Sequence, residues 1–271
     1  MARKQEVKKT VHDTISLILP TRYRLKCKNH VQKDFANLIT NKEIIVAAGP
    51  AGVGKSYVAV ARAIELLQNK SNSYNKIQIA TSGEGVGKDR GFIPGSLREK
   101  MEPEMGPVIS IFDKIIGKSK RIQLEEADIL VLGPLTYMRG ASIDNTILLM
   151  EEAQNTSPFE LKSLLTRIGE NSKFIISGDL DQSDRFKYVN QSGLYDVLHR
   201  HRNIDEIGFI QFEIKDIVRN PLICKILSNY KILASEEPKK TIKNKQKEYI
   251  KKNKSFKDSR FILWIRKNFK W

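Results

Sequence analysis

Eight residues, Gly49-Pro50-Ala51-Gly52-Val53-Gly54-Lys55-Ser56, fit the pattern G-x-x-x-x-G-K-S/T. That pattern works only where a buried strand turns tightly into a helix: the glycines let backbone N–H groups point inward, and the helix N-terminus adds its positive end. The flanks comply. Ile44-Ile45-Val46-Ala47-Ala48 is a short apolar run that reads as a buried strand, and Lys55 to Gln68 carries Val58, Ala59, Ala61, Ala63, Leu66 and Leu67, giving a helix with an apolar face. The order strand, glycine turn, helix predicts a phosphate-holding loop. Gly49, Pro50, Ala51, Gly52, Val53 and Gly54 shape its backbone, Lys55 supplies a point charge, the Ser56 hydroxyl is a Mg²⁺ ligand, and Tyr57 is counted with the loop.

Further short apolar runs at residues 77–80, 129–132, 147–150, 174–177 and 207–212 alternate with candidate helices at 96–116, 158–168, 193–201 and 221–230. Strands alternating with helices imply a mostly parallel sheet covered on both faces, a P-loop NTPase α/β fold. Met105, Val108, Ile109, Phe112, Ile115 and Ile116 recur at helical spacing and are assigned to the core. No apolar run approaches the roughly 20 residues of a membrane span, and the first residues lack a signal-peptide apolar region, so the expected location is cytoplasmic. Cys27 and Cys224 are too few for a disulfide framework or a four-cysteine zinc site.

The run Ile147-Leu148-Leu149-Met150 ends in Glu151-Glu152. Two carboxylates leaving a strand beside a phosphate loop divide the labour: Glu151 enters the Mg²⁺ shell and Glu152 is the candidate base that polarises an attacking water. The next strand ends in Ser177-Gly178-Asp179-Leu180-Asp181-Gln182. In an open parallel sheet ligands lie off the carboxyl ends of the strands, so Gln182 is expected to face the same crevice and sense the γ-phosphate.

The net charge of +16 resides at the ends of the chain: residues 1–28 hold 8 Lys/Arg against 2 Asp/Glu, and residues 235–271 hold 13 against 4. The predicted organisation is a basic N-terminal segment (1–28), a near-neutral catalytic domain (29–234) and a lysine-rich tail (235–271). Tyr249, Phe256, Phe261, Trp264, Phe269 and Trp271 interleave with the tail's cations, a composition suited either to gripping phosphates and stacking on bases or to a solvated lysine-rich tail.

In this order the motifs resemble the PhoH family, P-loop ATPases related to the core of superfamily 1 helicases. The matching stretches are the loop from Gly49, Gly-Phe-Ile-Pro-Gly from Gly91, Thr-Tyr-Met-Arg-Gly from Thr136, and Glu-Ala-Gln-Asn from Glu152. Leu-Thr-Arg-Ile-Gly from Leu165, Ser-Gly-Asp-x-x-Gln from Ser177 and Val-Arg-Asn-Pro-Leu from Val218 complete the set.

The resemblance implies a RecA-like sheet and Mg²⁺-dependent ATP hydrolysis coupled to RNA or single-stranded DNA, with helicase or translocase action as an extension. It implies that Gln32 recognises adenine and that one of Arg139, Arg167 and Arg219, foremost Arg219, reaches the γ-phosphate. Such motors place ATP between two domains and this chain has length for one, so a homo-oligomeric ring, a hexamer being one form, is expected to bring Arg219 in trans. Two departures stand out. Glu151 replaces the family's usual aspartate, and Thr81-Ser82-Gly83 stands where the family has Thr-Arg-Pro. The rival readings are a nucleotide-binding switch with negligible turnover, a small-molecule kinase, and a purely nucleic-acid-binding protein that relies on its tails and ignores ATP.

Overall fold

The computed structural model describes residues 10–82, 97–135, 140 and 142–236. The stretches Gly91–Gly95 and Thr136–Arg139, and the tail beyond Glu236, lie outside the described residues. Strands β1 (Ile44–Ala48), β2 (Lys76–Thr81), β3 (Leu130–Pro134), β4 (Thr146–Met150), β5 (Lys173–Gly178) and β6 (Ile207–Gln211) form one six-stranded sheet in the order β3-β2-β4-β5-β1-β6. Every pairing is parallel. This is the parallel sheet that the alternating pattern predicts.

Side chains alternate across a strand, and the core divides accordingly. Ile45, Ala47, Ile77, Ile79, Ile147, Leu149 and Ile175 join one apolar cluster, whereas Val46, Ala48, Leu148, Met150, Phe174 and Ile176 join the other. Five helices cover the first face: α1 (Val11–Ile18), α2 (His30–Asn41), α3 (Lys55–Gln68), α4 (Leu97–Ile116) and α5 (Lys118–Glu126). They contribute Ile15, Phe35, Ile39, Val58, Ile64, Met105, Phe112 and Leu124, among others. Helices α6 (Pro158–Leu165) and α7 (Gly193–Arg200) cover the second face with Leu161, Leu164, Leu194 and Val197. A further helix, α8, spans Pro221–Glu236. One compact unit of the chain runs to Ile223 and a second begins at Cys224.

Helices α1, α2 and α5 have no counterpart among the predicted elements. α1 is short but closed by a capping box in which Thr10 and Asp13 satisfy each other's backbone N–H groups, and its apolar residues Ile15 and Ile18 are buried. α5 is so polar that periodicity alone gives no signal. Its buried Arg121 instead pairs with Asp113 at 2.5 Å on α4 and with Glu125, tying two consecutive helices together.

Lys173, the first residue of β5, is buried, and its Nζ donates to the Lys42 carbonyl. Burial pulls its ammonium down to about 8, with Glu43 opposing. Between that value and the ordinary lysine range, the unfolded chain holds a proton the folded chain has released, so stability rises with pH across the window. The urea midpoint is therefore expected to climb from pH 8 toward 10, and Lys173→Met is expected to flatten that climb.

Candidate functional site

The loop after β1 depends on close approaches that only glycine allows. Gly49 has φ +147°, and a Cβ there would lie 2.6 Å from the Phe212 Cβ and 2.7 Å from the Phe212 carbonyl oxygen. Gly54 has φ +88°, and its Cβ would lie 2.7 Å from Gln32 Nε2. Gly49→Ala is expected to cost about 2–4 kcal/mol, combining left-handed strain with a clash against backbone, and urea unfolding measures it.

The loop is braced from three sides. The Gly49 N–H donates to the Gly178 carbonyl at 3.1 Å, the Val218 N–H donates to the Gly52 carbonyl at 3.1 Å, and Gln32 Nε2 donates to the Val53 carbonyl at 2.8 Å. Gln32 is buried, and its Oε1 accepts from the Lys28 N–H at 2.8 Å. The glutamine that the family resemblance assigns to adenine is thus engaged with backbone of its own chain. Lys55 Nζ folds back to donate to the Gly49 and Pro50 carbonyls at 2.5 and 3.0 Å. The Tyr57 hydroxyl meets the Tyr23 hydroxyl at 2.9 Å.

Strand order brings the acids to this loop. Glu151 leaves β4, which lies two strands from β1, about 10 Å across the sheet, and the Ser56 side chain at the start of α3 closes the gap. Ser56 Oγ donates to Glu151 Oε2 at 2.8 Å, and Ser177 Oγ, from the intervening β5, donates to the same oxygen at 2.9 Å. Glu152 is exposed and has φ 54° and ψ 38°, a left-handed backbone that costs a non-glycine residue about 1–3 kcal/mol and recurs at functional sites. Buried Gln154 connects it onward: Nε2 donates to Glu152 Oε2 at 2.5 Å and to the Gln182 carbonyl at 3.3 Å, while Oε1 accepts from the Asp179 N–H at 3.0 Å.

The charges are mutually dependent. Burial pulls the Lys55 ammonium below its usual range, against Asp179, Glu151 and Glu152, which pull it back up. Burial pushes the Glu151 carboxyl up, the hydroxyls of Ser56 and Ser177 draw it down, the Glu152 charge adds to the rise and Lys55 opposes it. Asp179 is likewise pushed up by burial, while the Asp181 N–H, the Lys55 charge and the Ala51 N–H hold it down. A half-buried cation among three carboxylates, at the N-terminus of α3, is suited to a polyanion with a divalent metal.

The remaining sequence-assigned residues divide. Gln182 closes the short turn after β5, exposed at the same edge as Glu152. Arg219 is exposed, and its Cδ would lie 3.4 Å from a Cβ on Gly52, so its stem covers the loop of its own chain, in contrast to the expected supply from a neighbouring subunit. Arg167 is at the opposite end of the sheet: its carbonyl accepts from the Ile143 N–H at 2.9 Å, ahead of β4. Ser177 and Gln154 carry no assigned role in the sequence reading. Ser177 had a visible signal, a hydroxyl inside an otherwise apolar strand, whereas Gln154 shows its role only through contacts made across the sheet.

A family model described as PhoH-like protein matches residues 24–231. A PhoH-like protein of Bacillus subtilis (strain 168) is 35% identical over 206 residues, covering 76% of this chain and 64% of that protein. Protein PhoH of Escherichia coli (strain K12) is 33% identical over 205 residues, covering 75% of this chain and 57% of that protein. The chain therefore spans less than two thirds of the length of these relatives. Among solved structures, the UvsW helicase from bacteriophage T4 matches at 15% identity and a TM-score of 0.34, covering 77% of this chain and 69% of that one. Because residues 24–231 take in every strand of the sheet and the loop, acids and turn at its edge, the chain belongs to the PhoH-like protein family.

Proposed function

We propose that this chain binds ATP with Mg²⁺ in the Gly49–Ser56 loop and hydrolyses it, with turnover coupled to RNA or single-stranded DNA. The observation that carries the reading is the hydrogen-bonded set Ser56, Glu151 and Ser177 beside Lys55, with Glu152 held next to it in a strained, exposed conformation. The loop amides and Lys55 hold the β- and γ-phosphates, for which Lys55 exchanges its two carbonyl partners. Ser56 and Glu151 would hold Mg²⁺, which would supply neutralisation of the charge on the phosphates. Glu152 takes the proton of the attacking water, and Gln154 orients that carboxylate and links it to the Gln182 turn. Gln32, whose amide is taken up by the Val53 carbonyl and the Lys28 N–H, sets the loop from beneath. Arg219, whose stem lies over Gly52, is the arginine that reaches toward the γ-phosphate beside Lys55, and a neighbouring subunit in a homo-oligomer closes the open side of the cleft.

Phosphate release from Mg·ATP, measured with and without oligouridine or oligothymidine, tests the reading. The expected result is release that vanishes in Lys55→Ala and rises with one of the oligonucleotides. Tight ATP binding with no release would make the chain a switch, and phosphate appearing on a small hydroxyl compound would make it a kinase.

A further inference from the structure

Between α1 and α2 the chain runs from Arg22 to Lys28 without helix or sheet pairing, and its exposure alternates residue by residue. Arg22, Arg24, Lys26 and Lys28 face solvent, whereas Tyr23, Leu25 and Cys27 turn inward against the first apolar cluster. Helix α3 fixes this register from beneath. The Tyr23 N–H donates to Gln68 Oε1 at 2.9 Å, the Leu25 N–H donates to Glu65 Oε1 at 2.5 Å, and Gln68 Nε2 donates to the Thr21 carbonyl at 2.9 Å. With its odd-numbered residues anchored, the segment must present all four cations on one side. Among the described residues none of these four side chains has an ion-pair or hydrogen-bond partner.

An extended peptide advances about 3.3 Å per residue, so cations on alternate residues stand about 6.6 Å apart. Two peptide residues and one nucleotide contain the same number of backbone bonds, so this spacing follows that of successive phosphates along a strand drawn straight. We propose that Arg22, Arg24, Lys26 and Lys28 form a cationic ladder that grips the phosphate backbone of single-stranded nucleic acid. The ladder names the contact surface for the partner in the reading above and rests on that reading for its link to ATP. That link is physical: the Lys28 N–H donates to the Gln32 amide that holds the Val53 carbonyl, and the anchoring helix α3 begins at Lys55.

The test is fluorescence anisotropy of a labelled oligouridine of about 12 nucleotides against salt, on the full chain without nucleotide, so that loss of hydrolysis and loss of this contact are read separately. Each phosphate contact to a single strand adds about 0.7 to the slope of log affinity on log salt, so Arg22→Gln/Arg24→Gln/Lys26→Gln is expected to be shallower by about 2. The corresponding loss near 0.1 M salt is roughly 100-fold. An oligothymidine of equal length is expected to lose as much, since the contact is to phosphate. Arg22→Lys/Arg24→Lys, which keeps the charges, is expected to keep the slope, and both variants are expected to melt as the native chain does. An unchanged slope in the glutamine variant overturns the ladder and assigns the affinity to other cations. Loss of binding to phosphatidylserine vesicles with oligonucleotide binding intact also overturns it.

Discussion

Lys55→Ala is expected to lower affinity for Mg·ATP by about 10²–10⁴-fold, because two charge-assisted hydrogen bonds to phosphate are each worth about 1.5–3 kcal/mol. The folded chain should survive the change. Lys55 is held by carbonyls of its own loop, and its burial disfavours the charge it carries, so removing the ammonium removes a penalty together with the contacts. Titration with a fluorescent ATP analogue reads the loss, and a thermal melt run beside it separates lost binding from lost folding. An affinity within threefold of the native chain would mean that the phosphates lie elsewhere.

Replacing Glu152 separates chemistry from stability. Glu152→Gln keeps the shape and removes the base, so turnover is expected to fall by about 10²–10⁴-fold with ATP affinity retained. Glu152→Gly is expected to lose the same turnover while gaining about 1 kcal/mol of stability, because glycine adopts φ 54° without the penalty a side chain incurs. Higher stability with lower activity in one variant is the signature of strain kept for function. A Glu152→Gly chain that is both less stable and inactive would make the left-handed turn a structural feature.

The reading of the sheet from sequence succeeded where burial on both faces leaves little choice. Ile44–Ala48, Ile147–Met150 and Phe174–Ser177 are apolar at nearly every position, and the glycines of the loop record backbone geometry directly. The same logic failed for α5, whose buried group is a charged arginine held by ion pairs, for α1, where two buried isoleucines on a short capped helix are too few to mark a period, and for α2, whose buried stripe of Phe35, Ala36 and Ile39 lies outside the predicted helices.

At the site, the sequence motifs identified the acids and the loop but not the bonds between them. Nothing in the order of residues says that Gln32 turns toward Val53, that Ser177 shares a carboxylate oxygen with Ser56, or that Arg219 lies over Gly52 of its own chain. Those follow from strand order, which places β5 between β4 and β1, and from the segment after β6 folding back over the loop. The cations at residues 22–28 were visible as composition. Their common face required the alternation set by Glu65 and Gln68.

A crystal structure of Glu152→Gln grown with Mg·ATP tests the central claim most directly. The predicted result is a triphosphate in the Gly49–Ser56 loop, Lys55 Nζ moved from the Gly49 and Pro50 carbonyls to phosphate oxygens, and Mg²⁺ between Ser56 and Glu151. A nucleotide bound elsewhere, with Lys55 still on those carbonyls and Ser56 still bonded to Glu151, would contradict it.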